Sequence, residues 1–516
     1  MKSRPTAKPI PDQPKLDFWR TLCVGFAFMG IMCFWEVYDY IMPLILNRNF
    51  GMNATEYGVV MGLDNLLAIF LLPLFGAISD RSSGKKYGRR TPFIVWGTLA
   101  AVVCVVALGA IEYAQYGKLA EGISDLSVLT QHGLDARYLG AEYQTIVEQV
   151  AQGVKPEGDA LAMYNEYCTA LYSAQSAFAG AVTAQNKGIL AAFICVLLAL
   201  LVAMSSYRSP AVALMPDVTP KPLRSQANAV ITLMGGAGGL FSIVLYNLLA
   251  PNRYQHHIAL FCVLAGVMRG ILAAFLLTVR EKKLVAIRAA EESQWQIVDE
   301  EEQSAQGKLD KPKAISFALI LLCVFLWFMG YNAVKTHLSV YATTTLNLDD
   351  GLVGIINIIN GVGGAVALLP VALMASKWGR KITIVFGLAL SALAFVPCIF
   401  FTANTPNVQI WFPLCFILSG FGLVCVNVNT FPMATELSKG SNVGKYTGLY
   451  YISSMGAQAV TPMFAGVFME HIAQQSVFVY SIVFIALALV AMLFTKHGDN
   501  KPAKKQKMIE YFGEED

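Results

Sequence analysis

Long apolar runs recur along this chain and are separated by shorter polar connections. A membrane-crossing helix needs about 20 consecutive, mostly apolar residues. On that measure the pattern predicts spans at Phe18–Leu44, Tyr57–Ile78, Phe93–Tyr113, Ile189–Ser206, Ala227–Leu249 and Ile258–Leu277. A second set follows at Ala314–Tyr341, Val353–Ala375, Ile382–Phe401, Ile410–Pro432, Tyr446–Met469 and Val477–Phe494. The expected fold is an all-α membrane protein with twelve transmembrane helices in two six-helix bundles, residues 18–279 and 314–494.

The polar stretches complete this plan. Residues 1–17 and 495–516 read as tails, and 280–313 reads as a linker. The linker holds Glu291, Glu292, Asp299, Glu300, Glu301 and Glu302, a composition expected of solvated chain. One connection, 114–188, is far longer than the rest. Its part from Ala141 to Phe178 is rich in alanine, glutamate and glutamine, which favours helix. It reads as a surface insertion, with a lid or partner-binding role as the alternative.

Charge sets the expected orientation. Basic residues collect in alternate connections: Arg81, Lys85, Lys86, Arg89 and Arg90; Arg208, Lys221 and Arg224; Arg280, Lys282, Lys283 and Arg288; Lys377, Arg380 and Lys381; Lys439 and Lys445. The intervening short connections hold only isolated cases such as Arg48 and Arg253. Basic loops stay on the cytoplasmic side, so both termini are expected inside a bacterial inner or plasma membrane. The polar, proline-containing leader does not have the form of a cleaved signal sequence.

Composition narrows the function. Hydrophobic residues make up 56% of the chain and charged ones 14%, against roughly 25% charged in soluble domains. The net charge of +4 is dispersed among the connections, which argues against a nucleic-acid partner. The cysteines form no CxxC knuckle or disulfide framework, and the histidines lack metal-ligand spacing, so no metal is expected. The glycine runs follow no soluble strand and no Walker sequence occurs. No cofactor is expected, the chain does not read as an enzyme, and an ion gradient is the expected energy source.

Ionisable groups within membrane helices are costly and therefore candidates for function. Glu36 and Asp39 are spaced to share one face of the first span, beside Trp35 and Tyr38. Asp64 and Asn65 lie in the second. Such acids are placed to exchange a proton, or else to pair structurally with basic residues. In the seventh span Tyr331 and Lys335 share a face, with Asn332 adjacent and His337 nearby. Lys335 suits either a bridge to a first-span acid or hydrogen bonds to hydroxyls. Arg269 is a lone charge in the sixth span, Asn357 and Asn360 share a face of the eighth, and Asn427 lies in the tenth. Amides and charges that direct hydrogen bonds, with aromatic faces from Trp35, Trp327, Phe328 and Tyr331, suit a sugar. The same groups also serve helix packing.

After the second span, Gly76, Asp80, Arg81, Gly88, Arg89 and Arg90 form a helix end, an acid and a basic turn. Its arginines can bridge to carboxylates or helix ends of a neighbour and hold one conformation closed, a gating role. Lys377-Trp378-Gly379-Arg380-Lys381 echoes this turn after the eighth span and points to an internal duplication.

The Gly76-to-Arg81 stretch followed by Gly88-Arg89-Arg90 resembles the loop after the second helix of the major facilitator superfamily. Within it, Lys86-Tyr87-Gly88-Arg89-Arg90-Thr91-Pro92-Phe93 is similar to the pattern of sucrose and related disaccharide–proton symporters, a branch similar to the glycoside–pentoside–hexuronide cation symporters. Ala213-Leu214-Met215-Pro216-Asp217 with Arg224-Ser225-Gln226-Ala227-Asn228, placed after the fourth span, and Gly444-Lys445-Tyr446-Thr447-Gly448-Leu449-Tyr450 point the same way. Lys86 replaces the usual leading arginine, and the long insertion is not part of the common pattern. The resemblance implies a secondary carrier with alternating access that imports a disaccharide or short oligosaccharide with a proton. It would act as a monomer in the lipid bilayer. A sodium-coupled glycoside or hexuronide carrier and a non-transporting sugar sensor are the alternatives. Against sodium stands the single acid of the second span, where melibiose-type carriers have closely spaced acids.

Overall fold

The computed structural model describes residues 16–84, 87–220, 223–249, 256–294, 311–435, 437 and 443–498. Its regular elements are helical. They begin with α1 (Phe18–Arg48), α2 (Ala54–Arg81) and α3 (Thr91–Leu119), followed by the shorter α4 (Leu126–Gln131), α5 (Ala141–Ala151) and α6 (Asp159–Gln185). Next come α7 (Lys187–Val218), α8 (Arg224–Leu249), α9 (Ile258–Thr278) and α10 (Glu281–Gln294). The remainder holds α11 (Lys311–Thr344), α12 (Asp350–Trp378), α13 (Arg380–Phe395), α14 (Val408–Thr435), α15 (Val443–His471) and α16 (Ser476–Phe494).

Ten of these helices are long and apolar enough to cross a membrane: α1, α2, α3, α7, α8, α9, α11, α13, α14 and α16. Large apolar side chains such as Phe70, Trp96, Leu277, Leu393 and Leu487 stand exposed on them, a surface that suits lipid rather than water. The spans expected at Val353–Ala375 and Tyr446–Met469 fall on α12 and α15, each 29 residues long. The described apolar run in α12 is only Val366–Ala375, and α15 carries Ser453, Ser454, Gln458 and Thr461 along its length.

Local sequence explains the ends. The Asp17 carboxylate accepts the Arg20 amide at 3.0 Å and caps α1. Asn53 and Glu56 accept one another's backbone N–H at 2.8 and 3.0 Å, a reciprocal cap that starts α2. Pro92 in the first turn of α3 loses no helical hydrogen bond.

The chain divides into two compact units. The first comprises Met1–Met52, Leu66–Glu300 and Asp349–Gly354; the second comprises Asn53–Asn65, Glu301–Leu348 and Ile355–Asp516. Within the first, α1 packs along α8, with Tyr40 stacked on Tyr246 at 4.2 Å between ring centroids. The first turn of α12 also belongs here, because Gly354 lies against Tyr246 and Asn247 of α8. Within the second, α13 packs on α14 and α11 on α16, around a cluster of Tyr341, Phe395, Phe412 and Phe478. The start of α2 is part of this unit. Gly58 and Gly62 lie directly on the backbone of Pro462 and Ala459 in α15, a closeness that any Cβ would prevent.

Residues 120–186 form a folded insertion. Leu129, Leu134, Tyr138, Tyr167, Cys168 and Ala174 make its core, and Arg137 bridges Glu166 at 2.7 Å. The helix expected over 141–178 is broken between α5 and α6, where Gly153 and Gly158 take positive φ and Pro156 stands between them.

Two expectations need correction. The linker is not solvated throughout: α10 packs on α7, Glu281 is 3% exposed, and Arg20 of α1 makes two bonds of 3.1 Å to Glu291. The alternation of Leu284, Val285 and Ile287 with charged residues lets α10 lie against the bundle. The fourth span does not stop at Ser206, since α7 runs on to Val218 through Pro210 and Pro216. Residues 295–310 of the linker, the chain before residue 16 and the chain after 498 lie outside the described residues.

Candidate functional site

The basic turn is built where α2 ends and α3 begins. Gly76 approaches Ser209 of α7, whose hydroxyl donates to the Leu72 carbonyl at 2.7 Å. Arg90, 5% exposed, is the centre of the cluster. Its guanidinium bonds Asp80, Asp217 on α7 at 2.8 Å and the Ser79 hydroxyl at 2.5 Å. Burial alone would lower the Arg90 pKa, but the bonds and charges of Asp217 and Asp80 outweigh it and raise the pKa. Arg89 stands 4.0 Å from Asp217, while Arg81 is exposed at the end of α2.

Beneath this turn lies Glu281, the first residue of α10. Its carboxylate accepts the backbone N–H groups of Arg89 at 2.6 Å, Arg90 at 3.0 Å and Thr91 at 2.8 Å, and the Thr91 hydroxyl at 2.7 Å. It caps the start of α3 from another helix. Gly88, with φ +104°, leaves the space this carboxylate occupies, because a Cβ there would collide with it.

The echo in the second half makes a different contact. Gly379 precedes α13 with φ +96°, and Lys381 donates to the carbonyls of Leu493 and Thr495, at 2.8 and 2.7 Å, at the end of α16. A cation at a helix C-terminus meets its partial negative charge. Arg380, half-buried, opens α13.

In the first unit Glu36 and Asp39 are half-buried on α1. Glu36 lies against Gly239 of α8, where a Cβ would stand 3.1 Å from its Cγ. Trp35 and Tyr38 meet edge to face at 5.3 Å, and Arg208 of α7 sits over the Trp35 ring at 5.8 Å. Among the described residues the buried Trp35 indole N–H has no acceptor. Acids, aromatic faces and a guanidinium from α1 and α7 thus gather in one place. Arg269, by contrast, is exposed on α9.

In the second unit the Trp327 and Tyr331 rings stack at 5.1 Å, and the Trp327 indole donates to Asn427 at 3.2 Å. Asn332 donates to the Gln458 carbonyl at 3.3 Å, and Lys335 is exposed on α11. His337 is fully buried between the Tyr57 hydroxyl at 2.7 Å and the Pro462 carbonyl at 2.9 Å. Asp64 accepts from the Asn65 backbone and amide at 2.6 and 2.7 Å, so the expected coupling acid and the expected sugar ligand bond each other. The side chains of Asn357 and Asn360 lie outside the described residues.

The sequence reading missed Arg208 as a membrane-helix residue and placed it in a polar connection. The apolar residues Ala211–Met215 after it were the available signal that the helix continues. It also missed Glu281, read as part of the linker; an acid opening an amphipathic segment was the only local hint.

The model of the Major Facilitator Superfamily matches residues 168–356 and 320–511. The α-ketoglutarate permease of Escherichia coli (strain K12) is 32% identical over 101 residues, which are 19% of this chain and 22% of that protein. The proton-associated sugar transporter A of Mus musculus is 32% identical over 99 residues, 19% of this chain and 12% of that protein. The chain therefore matches less than a quarter of the length of either relative. Among solved structures, the inward open xylose transporter XylE from E. coli aligns with TM-score 0.57 and 13% identity, over 95% of this chain and 98% of that one. A bacterial homologue of the iron transporter ferroportin in the inward-facing state aligns with TM-score 0.53 and 12% identity, over 93% and 99%. At these identities the likeness is one of fold.

Proposed function

The chain belongs to the Major Facilitator Superfamily, and on that premise we propose that it is a secondary active carrier importing a disaccharide or short oligosaccharide together with a proton. The observation that carries this reading is the cluster on α1 and α7. Glu36 and Asp39 stand half-buried in a membrane helix, next to the Trp35–Tyr38 pair, whose Trp35 ring lies under Arg208. Embedded carboxylates suit proton exchange. An aromatic face, an indole N–H and a guanidinium suit the C–H surface and hydroxyls of a sugar. In the second unit Tyr331, Asn332, Lys335 and Asn427, with Asn357 and Asn360, are the proposed further sugar ligands, joined by Asn65 and Arg269. Asp64 is the proposed third coupling acid.

The similarity to the proton-associated sugar transporter A supports the coupling and the substrate class, and the fold likeness to a xylose transporter agrees with them. The reading includes twelve spans and two cytoplasmic termini, which put the basic turns on the cytoplasmic side. Proton and sugar bind together, and alternating access carries both across. The turn of Gly76, Asp80, Arg81, Gly88, Arg89 and Arg90 acts as the gate, with Gly379, Arg380 and Lys381 as its counterpart.

Uptake by the purified protein in liposomes, measured for a panel of mono-, di- and oligosaccharides under imposed gradients, tests the proposal. A disaccharide should accumulate with an inward proton gradient, stop accumulating with a protonophore and be indifferent to exchange of sodium for potassium. Sodium-dependent uptake that ignores the protonophore would replace the proton by sodium. Sugar binding without uptake would make the protein a sensor.

A further inference from the structure

A second ionisable pair links α3 to the start of α9. Glu112 of α3 is fully buried and faces His257, the residue preceding α9. Its Oε2 accepts the His257 backbone N–H at 2.8 Å, and its Oε1 lies 3.2 Å from His257 Nδ1. The Asn49 amide at the end of α1 donates to the same Oε1 at 2.5 Å. A carboxylate with no exposure persists only when it is paired or protonated.

We infer that Glu112 and His257 form one proton-binding site, and that its occupancy sets how firmly the 120–186 insertion is held to α1 and α3 within the first unit. The geometry allows the sharing. With the pair carrying one proton beyond its basal state, that proton lies on Oε1 or on Nδ1, and either placement preserves the bond between them. When it is lost, neutral His257 must keep its remaining N–H at Nδ1 to go on donating to the carboxylate. The pair then carries a net negative charge within a buried site.

The route to the insertion is a short chain of hydrogen bonds. Asn49, which bonds Glu112, also presents its carbonyl to the Gln115 amide at 3.0 Å. The same Gln115 nitrogen donates to the Thr183 hydroxyl of α6 at 2.9 Å. Both Asn49 and Gln115 are buried. Next to Asn49 and His257 in the chain, Arg48 of α1 lies 5.6 Å from the Tyr172 ring of α6, and His256 packs edge-on to Tyr113 and Tyr116 of α3. Arg48 is itself buried, at 2% exposed.

The test needs no transport assay and so stands or falls independently of the proposed function. Full-length protein in liposomes, with isotope-labelled histidine, is followed by pH-difference infrared spectroscopy. Wild type should show a carboxyl and an imidazole change in one step. Glu112→Gln should remove that histidine change, and His257→Gln should remove that carboxyl change. Protection of the last turns of α6 from hydrogen exchange, taken relative to the intrinsic exchange rate at each pH, should follow the same step in wild type and lose that step in both variants. If the wild-type bands titrate separately, or either variant leaves the other residue's step intact, the shared site is refuted. Protection of α6 that keeps its pH step in both variants refutes the link to the insertion. Should a variant fail to fold, the wild-type spectrum alone still decides the first point.

Discussion

Removing the Glu281 carboxylate gives the most direct test of how the basic turn is held. In Glu281→Ala three backbone N–H groups and the Thr91 hydroxyl lose their acceptor at a site only 3% exposed. An orphaned buried donor costs about 1–3 kcal/mol. The hydroxyl can turn to another acceptor and water can enter where the alanine leaves space, so the four costs do not simply add. A total of about 3–5 kcal/mol is expected, the range for removing one partner of a buried charged interaction. Glu281→Gln keeps one acceptor oxygen but turns an N–H₂ toward donors, and should lose about 1.5–3 kcal/mol, the worth of hydrogen bonds to a charged group. Denaturant unfolding of the full-length protein in detergent reads these differences, with Glu166→Gln on the exposed Arg137 bridge as a control expected to change little. Gly88→Ala should produce a comparable defect, because its Cβ enters the carboxylate's space at φ +104°. The double variant Gly88→Ala, Glu281→Ala should be less destabilised than the sum, since the collision disappears with the carboxylate. An alanine variant at 281 as stable as wild type, or strict additivity of the pair, would refute the capping argument.

The other predictions concern the gate, the coupling acid and the seam at the start of α2. Asp80→Asn removes one charge from the Arg90 cluster and should cut the transport rate severely while equilibrium sugar binding stays near wild type; loss of binding in proportion to transport would count against gating. Glu36→Gln should abolish gradient-driven accumulation yet retain sugar exchange, because the amide imitates the protonated acid; normal accumulation would pass the coupling role to Asp39 or Asp64. Tyr57→Phe leaves buried His337 Nδ1 without its donor and should cost about 1–3 kcal/mol in the same unfolding assay, and an unchanged midpoint would mean the histidine finds another partner.

What the sequence decides by itself follows from the solvent it is built for. In a bilayer each segment must satisfy its own backbone hydrogen bonds, so an apolar run of sufficient length becomes a helix whatever its neighbours do. That is why the runs behind α1, α3, α9, α11 and α16 are legible one at a time. The basic turn is legible too, because glycines and charges of that density have few uses between membrane helices. Failures arise where a polar residue is absorbed by a continuing helix, as with Arg208, or where an amphipathic segment lies against a bundle, as with α10. Partnership is the part that only tertiary structure settles. Arg90 finds Asp217 across 127 residues, Glu281 reaches the Thr91 amide across 190, and Glu112 meets His257 across 145. The first turns of α2 belong to the unit built mostly from the later half of the chain, although their pattern looks like any other second span. Local hydrophobicity fixes that a helix forms. Which carboxylate lies under which amide depends on close packing among helices far apart in sequence, and that packing is set by shape and by glycines such as Gly58, Gly62 and Gly88, whose purpose appears only once the neighbouring backbone or carboxylate is in place.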